Sequence, residues 1–79
     1  NGMPPTLLAT ELQKRIRTDP YTRSYMIDVS IVSSTVVLKG KVNSFYHKQM
    51  ATCAMQEEIR NHANCMAHLF QLKNELRVK

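Results

Sequence analysis

Tryptophan is absent from this 79-residue chain, glycine and cysteine each occur twice, and proline occurs three times. So little glycine leaves no glycine-rich loop to cradle a phosphate and no Gly-x-x-Gly loop of the KH type. No aromatic strand motif of the RNP type is present, and no nucleophile stands in a recognisable catalytic setting. Nothing approaches the roughly 20 consecutive apolar residues that cross a bilayer. No charged start runs into the apolar stretch of a secretory signal. Internal repeats and low-complexity tracts are also missing. At 79 residues there is room for one small domain, which excludes a two-domain enzyme.

What is present is a folding composition with a basic balance. Hydrophobic residues make up 43% and charged ones 22%, enough apolar surface for a core. Eleven Lys and Arg against six Asp and Glu give a formal charge of +5, which favours anionic partners. Residues 1–5 read as a linker or boundary stub, and residues 6–79 as a single domain.

The order of elements reads helix, two strands, helix, strand. Thr6 is the expected N-cap of a helix whose Leu8, Leu12 and Ile16 recur every fourth residue. Asp19-Pro20 ends that pattern, because a residue before proline is pushed out of the helical region. The period then changes to two: Ile27, Val29 and Ile31 alternate with polar residues, and Val36, Leu38, Gly40 and Val42 do the same. Ser33-Ser34 joins the two runs as an antiparallel hairpin, its loop length open because neither residue is the Asn or Gly that a tight turn prefers. Ser44 caps a second helix with Met50, Ala51, Ala54, Met55 and Ile59 on its apolar stripe. Phe70, Leu72, Leu76 and Val78 alternate with Gln71, Lys73, Glu75, Arg77 and Lys79 in a last strand. Only Asn74 interrupts its apolar side, as an inward amide bonded to nearby backbone. A crossover helix makes the last strand parallel to the second. The expected fold is α+β, αββαβ, with a three-stranded mixed sheet and both helices packed on one face.

Val36-x-Leu38-x-Gly40-x-Val42, then Asn43-Ser44 and a helix carrying Ala51, closed by Asn74-x-Leu76-x-Val78, resembles the BON domain (bacterial osmotically inducible protein Y and nodulation). The resemblance runs from Leu7 to Val78. Ser33-Ser34 and the stretch 61–67 stand where that family usually has glycine and a Gly-Val pair, and the second helix with its loop is about eight residues longer than the family's. The resemblance implies the αββαβ fold and no catalysis. It also implies attachment of a larger bacterial protein to an envelope surface, with phospholipid binding proposed for the class. A periplasmic or envelope location follows from the resemblance alone, and the cytoplasm stays open.

The pleat gives that expectation residues. If Ile27, Val36, Leu38, Leu72 and Leu76 face the helices, Lys39, Lys41, Lys73, Arg77 and Lys79 share the opposite face, with Asp28 and Glu75 among them. Met26 and Val37 are expected there too, as apolar residues among lysines. The candidate binding set is therefore Lys39, Lys41, Lys73, Arg77, Lys79, Met26 and Val37. The expected partner is an anionic phospholipid surface or an envelope protein. The alternative is a protein-interaction or oligomerisation module using the open sheet face without lipid, including a weak homo-oligomer. Nucleic acid is not expected, because single-strand binders interleave aromatics with their cations and this face has none.

Other donor groups read as structural. A continuous helix would hold Cys53 and Cys65 about 18 Å apart, beyond the roughly 7 Å that a disulfide spans, so two free and mostly packed thiols are expected. His62-x-x-Cys65-x-x-His68 has zinc-type donors, but on a helix positions six apart diverge. No metal, cofactor or catalytic residue is assigned. Glu58 and His62 are placed for an i to i+4 hydrogen bond at the core rim. Tyr21, Tyr25, Phe45 and Tyr46 fall near element ends, as core caps with wet phenols.

Overall fold

The computed structural model describes residues 5–79, and of Pro5 and Thr6 it describes the backbone only. The linker expected over residues 1–5 therefore lies, apart from Pro5, outside the described residues. Helix α1 spans Pro5–Thr18, strands β1 and β2 span Asp28–Val32 and Thr35–Val42, helix α2 spans Phe45–Ala63, and strand β3 spans Gln71–Val78. A 3-10 helix, Asn64–Leu69, joins α2 to β3. The αββαβ order and the three-stranded mixed sheet match the expectation. Thr6 does not cap α1: the helix has already begun at Pro5, whose fixed φ suits a first helical turn.

Strand order is β1-β2-β3, with β1 antiparallel and β3 parallel to the central β2. The core sits between the sheet and the helices. Leu8, Leu12 and Ile16 of α1 meet Ile27, Val36, Leu38, Val42 and Leu76, with Ala51, Ala54, Met55, Ile59 and Ala63 completing the layer from α2. Small alanines let α2 lie close to the strands. Met50 is only half-buried, so Met55 is the core methionine of that helix.

The hairpin turn has two residues. Ser33 and Ser34 both have positive φ, 49° and 64°, the signature of a type I′ turn, which matches the twist of the flanking strands. Serine tolerates this backbone at a cost of about 1 kcal/mol per residue. The chain also needs a glycine at one crossing. Gly40 has φ 147°, and a Cβ there would lie 2.6 Å from the Met26 carbonyl oxygen and 3.2 Å from Ile27 Cα. The segment entering β1 passes directly over it.

Ser44 caps α2 as expected, its Oγ accepting from the His47 N–H at 3.2 Å. The long connection after Ile59 resolves into one more turn of α2 followed by the 3-10 helix, with Asn64 at φ 54° between them. Asn74 bonds as expected of an inward amide. Its Nδ2 donates to the Lys48 carbonyl at 2.8 Å and to Thr52 Oγ1 at 2.7 Å, and its Oδ1 accepts from the Leu76 N–H at 3.0 Å. That clamp joins β3 to α2.

Candidate functional site

The outer face of the sheet is built by alternation. Buried Val36, Leu38, Val42 and Leu76 point at the helices, so their neighbours along each strand point away. Register then sets who stands beside whom: Asp28 opposite Lys39, Lys39 beside Glu75, Val37 beside Lys73, and Lys41 beside Arg77. Lys79 follows, its N–H donating to the Val42 carbonyl at 3.0 Å. Lys39, Lys41, Lys73, Arg77 and Lys79 are all exposed on this one surface. Against these five cations stand Asp28 and Glu75, and Glu75 is held by Lys73 at 3.1 Å.

Val37 lies on the same face, half-buried. Met26 does not lie in the strand with it. It precedes β1, is 94% exposed, and lines a surface depression with Arg17, Arg23, Tyr25 and Asp28. Met26 stands at the end of the sheet, two residues before β1 begins, and exposed Met26, buried Ile27 and exposed Asp28 keep the strand's alternation.

Where the remaining acids go explains the imbalance. Arg15 of α1 reaches across to α2 and holds Glu57 at 2.8 Å and Glu58 at 2.7 Å, while its Nε holds Asp19 at 3.1 Å. Half of the six carboxylates are thereby gathered on one guanidinium on the helix side. Arg15's pKa is pushed above the ordinary guanidinium value, most by the Glu57 hydrogen bond, against partial burial, and further by Glu58 and Asp19. Glu57 is nevertheless 59% exposed and Glu58 17%. Water screens the Glu57 pair, so the tie that secures α1 to α2 is the one to Glu58. Glu58 also accepts from His62 Nε2 at 2.9 Å, the i to i+4 pair expected from sequence. Of the eleven cations, only Arg15 and Lys73 have a carboxylate within 4 Å among the described residues. Nine are left to solvent or a partner.

Four of the five aromatic residues, Tyr21, Tyr25, Phe45 and Tyr46, gather at one end of the molecule, where α1 and the three strands meet the loops at residues 19–27 and 43–44. Tyr21 and Tyr46 meet edge to face at 5.7 Å, Tyr46 meets the His47 ring at 5.8 Å, and Tyr25 meets His47 at 5.5 Å. Tyr25 Oη accepts from the Asn43 N–H at 3.4 Å, which stitches the two loops together. Hydrogen bonding to Tyr21, then repulsion from the Tyr21 phenolate, raises the Tyr46 phenol above the ordinary 10.0. Tyr25 packs against the core as expected of a cap. Phe45, the first residue of α2, does not: it is 75% exposed.

Several donor groups are placed differently from expectation or apart from one another. Cys53 and Cys65 are free but exposed, not packed. Cys53 stands off the alanine-rich stripe that meets the sheet, and Cys65 is on the 3-10 helix. His68 Nδ1 donates to the Cys65 carbonyl at 2.8 Å, while His62 pairs with Glu58, so the His-Cys-His motif does not converge. Among the described residues, no group of three or more His, Cys, Asp or Glu is arranged to hold a metal. Sequence periodicity did not signal Arg17 and Arg23 as neighbours of the aromatic end. Their proximity depends on how the loop at residues 19–27 folds back, and nothing periodic encodes that.

No protein-family model and no curated protein sequence matches the chain.

Proposed function

We propose that this chain is a non-catalytic, BON-like module that attaches a larger bacterial protein to the cell envelope through weak contact with anionic phospholipid. The observation that carries this reading is the outer sheet face, where Lys39, Lys41, Lys73, Arg77 and Lys79 face only Asp28 and Glu75. The Arg15 hub supports it by neutralising three of the six carboxylates, Asp19, Glu57 and Glu58, off the sheet face. Each Lys or Arg near an anionic membrane contributes about 1 kcal/mol, so a net excess of three cations gives reversible, salt-sensitive association. The face carries no aromatic on which a base can stack, which disfavours single-stranded nucleic acid.

Cosedimentation with phosphatidylglycerol-containing vesicles tests the reading. Pelleting at low salt that weakens at moderate salt, with none on pure phosphatidylcholine, is the expected result. No pelleting at either salt rejects it. A second reading, contact with an envelope protein or another copy through the same face, is favoured by Val37 beside Lys73 and by exposed Val32 at the hairpin end, which add apolar surface to it. Light scattering after size exclusion separates the two, since an apolar self-contact survives salt.

A further inference from the structure

A flat basic face binds a membrane only weakly, and stable attachment requires an apolar element that enters the interfacial zone as well. The molecule carries one. Phe45 is 75% exposed, Tyr46 57% and Tyr21 40%, and they sit at the same end as Lys41 and Lys79. The link is covalent and short: Lys41 precedes Val42, whose carbonyl holds Lys79, and Phe45 follows Ser44, the cap of α2.

Resting on the phospholipid reading above, we propose that Phe45, Tyr46 and Tyr21 form an interfacial anchor, and that the domain docks on an anionic bilayer by this corner, with Lys41, Arg77 and Lys79 against the headgroups. Tyrosine suits the zone between headgroup and acyl chain, since its ring is apolar and its hydroxyl remains wet. The T-shaped Tyr21–Tyr46 pair holds the rings in place without burying them. Charge complementarity selects the bilayer as the occupant. Lys41, Arg77 and Lys79 close the same end of the sheet without carboxylate partners among the described residues, and the one acid bonded to the Tyr21 backbone, Asp19, is buried and neutralised by Arg15.

Corner docking ranks the cations, which flat docking on the sheet does not. Lys73 lies six residues before Lys79 along β3, about 20 Å at roughly 3.3 Å per residue. That is more than twice the screening length of about 8 Å at physiological salt, so Lys73 contributes little from the corner pose.

The chain has no tryptophan, so Phe45→Trp places a single reporter on the tip. With vesicles of phosphatidylglycerol and phosphatidylcholine in equal parts, its emission shifts to the blue and is quenched by brominated acyl chains. Phe45→Ala/Tyr46→Ala, checked for folding by circular dichroism, binds the same vesicles about tenfold more weakly, as expected for withdrawing two partly immersed rings. Lys79→Ala weakens binding more than Lys73→Ala. If the unaltered chain binds while the double variant binds equally well and the reporter stays unshifted, the anchor is wrong and the basic-face reading stands. If the unaltered chain binds neither vesicle, both fail. A blue shift that grows with protein concentration in the absence of lipid means a second copy covers the tip, and overturns the proposal.

Discussion

Gln13 occupies the place beside Val29 that a fourth strand would take. Its Oε1 accepts from the Val29 N–H at 3.0 Å, and its Nε2 donates to the Ile27 carbonyl at 2.8 Å. One side-chain amide from α1 thus satisfies the two outward backbone groups that flank Asp28 on an edge strand. An uncovered edge is a template for pairing with other chains. Gln13→Ala is expected to cost about 1–2 kcal/mol, from two lost hydrogen bonds to partly buried backbone. Urea denaturation gives the cost, and amide exchange at Val29 rises in the same variant. A variant as stable as the parent, with Val29 equally protected, would mean the clamp is idle.

Gly40→Ala places a methyl group 2.6 Å from the Met26 carbonyl and demands φ near 147° from a residue with a side chain. The obstacle is backbone, which has no rotamer to yield. A loss of roughly 2–4 kcal/mol is expected, large for a domain of this size, and is read from the thermal midpoint.

The serine turn is a place to gain stability. Ser33→Asn/Ser34→Gly keeps the two-residue loop and supplies the residues that adopt positive φ most readily. The double variant should be more stable by about 1 kcal/mol. An unchanged or lowered denaturation midpoint would show that the serines hold this conformation without strain.

Arg15→Met removes the guanidinium from three carboxylates and leaves Glu58 and Asp19 poorly solvated. The expected cost is roughly 1–3 kcal/mol. Glu58→Gln loses a large part of that, whereas Glu57→Gln, at a mostly exposed position, stays within about 0.5 kcal/mol. Comparing the two single variants by denaturation separates the tie between the helices from the surface pair.

Tyr46 ionises at higher pH than an ordinary tyrosine because its hydrogen bond with Tyr21 favours the neutral phenol. Raised pKa in the folded state means this contribution to stability is complete below pH 10.0 and is lost as pH rises through the folded value. In Tyr21→Phe the phenol at position 46 returns toward its ordinary range. Tyrosinate absorbance followed through an alkaline titration detects the change, and identical curves for both proteins would remove the Tyr21 hydrogen bond as its cause.

Periodicity determined the order of the elements and the division of the sheet into an apolar and a basic face, and the crossover rule added the mixed sheet. The first two are properties of a strand's two-residue and a helix's 3.6-residue repeat, and each can be read within a few neighbouring residues. Cys53 and Cys65 turned out exposed because a helix has sides that a stripe of alanines does not need. Tertiary structure alone decided that Arg15 meets Glu57 and Glu58, more than forty residues away, that Gln13 covers the β1 edge, and that Phe45 and Tyr46 project beside Tyr21. Such meetings depend on where two helices and a loop come to rest against one core, and the packing that sets those distances is satisfied by buried side chains whose pattern says nothing about the polar groups they carry along.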